Sequence, residues 1–153
     1  MKKNINQLEQ LISSYPDKLF GISDEEFPVK SSPEKWSKQE ELGHLIDSAH
    51  NNLRRFVVGQ YETDPKIVYD QNFWVAAANY QHQSSFDLIS LWELLNKQIC
   101  EVLKSLPEKN YSRMVDTGKG TIELHSLEWL AEDYLKHALH HLHHILELDA
   151  VPY

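Results

Sequence analysis

One cysteine, Cys100, stands among 153 residues. That excludes an intrachain disulfide and fits a reducing compartment. No apolar run approaches the ~20 residues needed to span a bilayer. The N-terminal stretch from Met1 to Glu9 has no apolar signal core either. The expectation is therefore a cytoplasmic protein with no membrane partner. Basic charge is also scarce: 15 Lys and Arg face 23 Asp and Glu, for a net charge of −8. No basic patch interrupts that balance, which argues against nucleic acid as a partner. No internal repeat is present. Gly118-Lys-Gly120 lacks the longer spacing of a phosphate-binding loop and reads as a turn.

What remains is ordinary for a globular chain, with 41% hydrophobic and 25% charged residues. The length suits one domain over residues 1–153 with a real core. Cys100 sits in a helical stretch, Gln98 to Leu103, where a small core residue is a better reading than a nucleophile.

Four long amphipathic helices emerge along the chain. The first, from Asn4 to Tyr15, carries Ile5, Leu8, Leu11 and Ile12 at helical spacing, and Pro16 is expected to end it or to mark its last turn. A connection follows over Lys18 to Glu34. Ser37-Lys-Gln-Glu40 has the form of a capping box and opens the second helix. That helix has an apolar stripe from Leu42 to Val57 and a stop at Gly59. His44 projects nearly opposite the stripe, beside Asp47, Ser48 and Asn51, where a lone histidine is usually a surface residue.

Residues 60–83 form a long connection, with a short helix capped by Asp70 or Asn72. A connection of that length is often a lid or cleft wall. His82 within it is a candidate extra ligand, although loop histidines mostly face solvent. Ser84 or Ser85 caps the third long helix, whose stripe runs from Phe86 through Trp92 to Leu106, with Pro107 as its stop. The turn at Asp116–Thr121 suits a small hairpin, and Ser126 leads into the last helix. The pattern predicts an all-α fold, a four-helix bundle, with a second-to-third connection long enough for a crossover.

Five of the nine histidines lie on that last helix: His137, His140, His141, His143 and His144. At about 100° per residue, His137, His141 and His144 share a narrow face opposite Leu135, Leu139 and Leu142. Imidazoles one turn apart can share a metal ion. The competing reading is a solvated face rich in histidine. Spacing alone also leaves His140 and His144 as another pair.

Two stretches give this chain a resemblance. Lys35 to Asp47 is similar to the Trp-Ser-x-x-Glu-x-x-x-His-Leu block of the DinB/YfiT-like superfamily of small helical bundles. His137 to Ile145 is similar to that family's His-x-x-His-His-x-x-His/Gln-Ile block in its last helix. Helix order and spacing agree over essentially the whole chain. The resemblance implies up-down-down-up topology, with the long crossover between helices 2 and 3. It also implies one divalent metal held by His44, His137 and His141, with His144 close to the site and His140 and His143 as bystanders. Zinc is the first choice, and nickel, iron or manganese also suit three imidazoles.

Some members of the family resemble thiol transferases, in which the metal activates a low-molecular-weight thiol. Others are described as metal-dependent hydrolases, with a water nucleophile. Both readings expect a small-molecule substrate. The alternative is a non-catalytic, metal-dependent binding or stress-response module. The sequence marks no catalytic acid or base; Asp47 and Asp133 read as exposed charge. Resemblance further implies a homodimer through helix faces, with Trp92 or Trp129 in the seam unless they belong to the core.

Overall fold

A computed structural model describes residues 1–153. Its helices are α1 (Lys2–Phe20), α2 (Lys38–Val58), α3 (Gln71–Ala78), α4 (Ser85–Ser105) and α5 (Leu127–Ile145). A two-stranded antiparallel hairpin, β1 (Met114–Asp116) with β2 (Leu124–Ser126), lies between α4 and α5. No helix is long and apolar enough to cross a membrane.

The helix starts follow local chemistry. Ser37 and Glu40 close a reciprocal capping box at α2. Asp70 accepts from the amides of Asn72 and Phe73 at α3. Ser84 accepts from Asp87 N, and Ser126 from Trp129 N. In the hairpin turn, the Asp116 carboxylate accepts from the amides of Gly118 and Glu123, at 2.9 and 3.0 Å.

Pairs across the bundle fix its directions. The Met1 amino group meets Glu128 at 2.7 Å, and the Tyr15 hydroxyl meets His143 Nε2 at 2.8 Å, so α1 and α5 run parallel. Lys104 reaches Glu9, and Phe86 lies against Phe20, so α4 runs against α1. Ser48 faces His137 while Glu41 meets His144, so α2 runs against α5. The topology is up-down-down-up. Because α2 and α4 point the same way and pack together, the chain must return along the bundle between them. A 21-residue helix is about 32 Å long, which explains the crossover through residues 59–84.

Three expectations need correcting. Pro16 does not end α1; the helix continues through it to Phe20. An interior proline costs about 3 kcal/mol. Continuing the helix buries Leu19 completely and Pro16 with it, and each large apolar side chain buried contributes about 2 kcal/mol. Packing offsets the lost hydrogen bond. Trp92 is fully buried in the core and forms no seam, whereas Trp129 is exposed and stacks on His125 at 3.8 Å. Phe86, placed in the core stripe by periodicity, is also exposed and packs on Phe20.

The polar side of α2 departs most from the expected amphipathic pattern. Gln39, Glu41, His44, Asp47, Ser48, Asn51 and Asn52 are all buried. The crossover and α5 cover this face, and most of its polar groups find partners within the fold, His44 Nδ1 and Asp47 Oδ2 excepted. Gln39 Nε2 donates to the carbonyls of Tyr80 and Gln83, the Tyr80 hydroxyl donates to Asp47 Oδ1 at 2.6 Å, and Asn51 Nδ2 donates to Asp47 O. Gly43 makes the approach possible, since a Cβ there would lie 2.1 Å from Tyr80 Cδ2. Asp47 is thus buried rather than exposed charge.

Candidate metal centre

The antiparallel pairing of α2 and α5 brings His44, His137 and His141 together, with one nitrogen from each within 4.8 Å of the others. His44 Nε2 and His137 Nε2 are 3.0 Å apart. The rings meet edge to face, with centroids 4.6–4.9 Å apart. Trp36, from the segment before α2, lies 5.0 Å from the His44 ring and backs it.

Each imidazole is set differently. His141 Nδ1 lies 2.7 Å from Glu41 Oε1, and His144 Nδ1 lies 2.6 Å from Glu41 Oε2. A carboxylate accepts, so both Nδ1 atoms carry a proton, and Nε2 is the His141 atom placed to ligate. His137 Nδ1 faces Ser48 Oγ at 3.4 Å. His44 Nδ1 is buried without a partner; packing between Trp36 and the other two rings orients it instead.

Electrostatics favours lone pairs over protons. Burial lowers the His44 pKa to about 4, assisted by the neighbouring His141. Burial, with His141 and His44 beside it, lowers that of His137 to about 2. Both rings are neutral at physiological pH. Burial alone would raise Glu41, but hydrogen bonds from His141 and His144 overrule it and hold the carboxyl below its ordinary range. Two neutral imidazoles with facing Nε2 atoms, and a third whose Nδ1 is turned to Glu41, form a donor set that suits a divalent ion.

The remaining histidines divide. His144 is mostly exposed and joins the cluster only through Glu41. His140 Nδ1 meets the Val151 carbonyl, and His143 lies between Tyr15 and the Asp149 carbonyl, so both hold the C-terminal segment. His82 is exposed in the turn over residues 80–82, outside the cluster. Asp133 is half-buried, raised by burial, and accepts from the Tyr153 hydroxyl. Burial raises Asp47 to about 6 despite its bond from Tyr80.

Glu41 was not singled out by sequence reasoning. The available signal was its position three residues before His44, which puts both on one helix face. Trp36 appeared only as part of a motif.

A model of the DinB superfamily matches residues 7–145. A protein of Oceanobacillus iheyensis, provisionally named a metal-dependent hydrolase, is 27% identical over 146 residues, covering 94% of this chain and 83% of that one. YfiT of Bacillus subtilis, described as a probable metal-dependent hydrolase with an unusual four-helix bundle topology, has a solved structure. It superposes with a TM-score of 0.85 at 24% identity, over 95% of this chain and 83% of its own. A mycothiol-dependent maleylpyruvate isomerase shares the fold, with a TM-score of 0.71 at 18% identity; this chain spans 61% of it.

Proposed function

Because the chain belongs to the DinB superfamily, we propose that it is a metal-dependent enzyme in which His44, His137 and His141 hold one divalent ion. The observation that carries this reading is the 3.0 Å approach of His44 Nε2 and His137 Nε2 from helices far apart in sequence. His141 is turned toward them by Glu41. Three neutral ligands leave a position open, so a bound zinc ion would supply Lewis acidity to a water, a thiol or a carbonyl there. Nickel, iron(II) and manganese also match the donor set.

The chain's own residues do the rest. Glu41 fixes the tautomer and aim of His141. Burial keeps His44 and His137 unprotonated. The nucleophile comes from outside the chain. Cys100 is buried between α1 and α4, and burial pushes its thiol up to about 11. Water and a small thiol are the two candidates. The hydrolase names of the relatives support water. The mycothiol-dependent isomerase of the same fold supports a thiol.

Metal analysis of the wild type, His44→Ala and the His137→Ala/His141→Ala double variant tests the site. Metal should be retained by the wild type and lost from both variants; unchanged content would sink the assignment. Assays of ester hydrolysis, and of thiol consumption with an electrophile, with and without metal, then separate the two reactions. No metal-dependent turnover in either panel would favour a metal-dependent binding module instead.

A further inference from the structure

Beside His137 the fold leaves a cavity of about 200 Å³, walled by α2, the crossover, the hairpin turn and α5. Two cations line it: Arg55, from the last turn of α2, and Lys119, at the tip of the hairpin turn. In a chain of net charge −8, a pocket carrying two positive groups runs against the surrounding field.

Arg55 is held by hydrogen bonds to uncharged groups, with Asp133 as the one carboxylate near enough to act on it. Its Nε and Nη2 donate to the Ile67 carbonyl, at 3.3 and 3.0 Å, and Nη1 donates to Asn52 Oδ1 at 3.3 Å. A guanidinium has five N–H donors, so these bonds fix its plane and leave others for a ligand. Lys119 is exposed and has no carboxylate partner. The one carboxylate in the cavity, Asp133, is engaged by the Tyr153 hydroxyl at 3.2 Å. Tyr69 adds an uncharged hydroxyl to the same wall.

We infer that this cavity is a subsite for a carboxylate of the substrate, held by Arg55 and Lys119 while the reacting group lies at the His44–His137–His141 cluster. A planar guanidinium already fixed in orientation suits a carboxylate, and Lys119 completes the charge as a mobile point. The glycine-flanked lysine of the hairpin turn thereby gains a role that its sequence spacing did not suggest. The inference rests on the metal reading above.

The test compares glutarate with its half-amide, glutaramate, by calorimetry on zinc-loaded protein whose metal content is measured in the same preparation. Both probes keep one carboxylate, and only glutarate has a second for the subsite. Glutarate should bind about tenfold more tightly. That ratio should fall to about threefold or less in Lys119→Gln, which lies in an exposed turn, and in Arg55→Lys, which keeps charge but loses the fork. The apo-protein should bind both probes more weakly and with a ratio near one, because each can then seat a single carboxylate on Arg55 and Lys119. A ratio near one in the zinc-loaded wild type, or a ratio unmoved by both substitutions, overturns the subsite. Wild-type protein that binds no zinc overturns the metal reading instead, and the subsite is then decided by whether glutarate binding to the apo-protein weakens at least threefold in Lys119→Gln and Arg55→Lys or is unmoved by both.

Discussion

Glu41→Gln is the sharpest perturbation of the centre, because one carboxylate serves two imidazoles. Its oxygens accept from His141 Nδ1 at 2.7 Å and His144 Nδ1 at 2.6 Å, and its side chain is only 7% exposed. Glutamine preserves shape but offers one acceptor oxygen and an amide that can only donate. One imidazole N–H must lose its partner. His144, with a side chain 75% exposed, can turn to water; His141, at 18%, cannot do so freely. The amide oxygen therefore stays with His141, but as a neutral acceptor. A hydrogen bond to a charged group contributes about 1.5–3 kcal/mol against about 1 for a neutral one. Changes to partners that orient metal ligands typically cost about 10–100-fold in metal affinity. Glu41→Gln should weaken zinc binding about tenfold, and Glu41→Ala about 100-fold. The assay is competition with a chelator of known affinity, run beside urea unfolding of the apo-proteins. A role confined to packing would lower apo stability and leave zinc affinity alone. Zinc affinity within about twofold of wild type in both variants would refute the reasoning.

Three other outcomes are expected. Apo-protein stability should fall with acid, because His44 drops from 6.5 unfolded to about 4 folded. Its contribution, up to about 3 kcal/mol, is present above pH 6.5 and is lost as pH falls through about 4. Asp47, raised from 3.8 to about 6, works in the opposite direction. Its contribution is complete below pH 3.8 and is lost as pH rises through about 6, so Asp47→Asn should gain stability relative to wild type between pH 5 and 7.5 in urea unfolding. A difference between the two proteins that does not change over that range would contradict the burial argument. Gly43→Ala places a methyl 2.1 Å from Tyr80 Cδ2 and should cost about 1–3 kcal/mol. Calorimetric melting checks it, and an unchanged Tm would mean that Tyr80 moves without cost.

The helices were legible because their caps are local: Ser37 with Glu40, Asp70, Ser84 and Ser126 each satisfy amides two or three residues away. His137 and His141 were legible as a pair because one turn of helix separates them. The family motif, not periodicity, pointed to His44. Periodicity equates polar with exposed, and along α2 that equation fails over Gln39, Glu41, His44, Asp47 and Ser48. Their burial depends on the crossover and on α5, neither of which leaves a mark in the local pattern. The same holds for Pro16, where packing of α1 on its neighbours outweighed a local stop signal. Arg55 and Lys119 were equally hidden, since only the hairpin and the end of α2 together make their cavity.

The pairing of α2 with α5 also bears on when the site can exist. His44 and His137 are 93 residues apart, and closing a loop of that size carries an entropic cost that grows slowly with length. Neither helix can present the cluster until the chain has made its crossover and brought α5 home. A metal held by all three histidines would then load late, after assembly of the bundle. A bound ion would tie the second helix to the last, and binding to the native state alone would stabilise that state by mass action. The rate at which zinc escapes to a chelator would therefore clock the parting of α2 from α5.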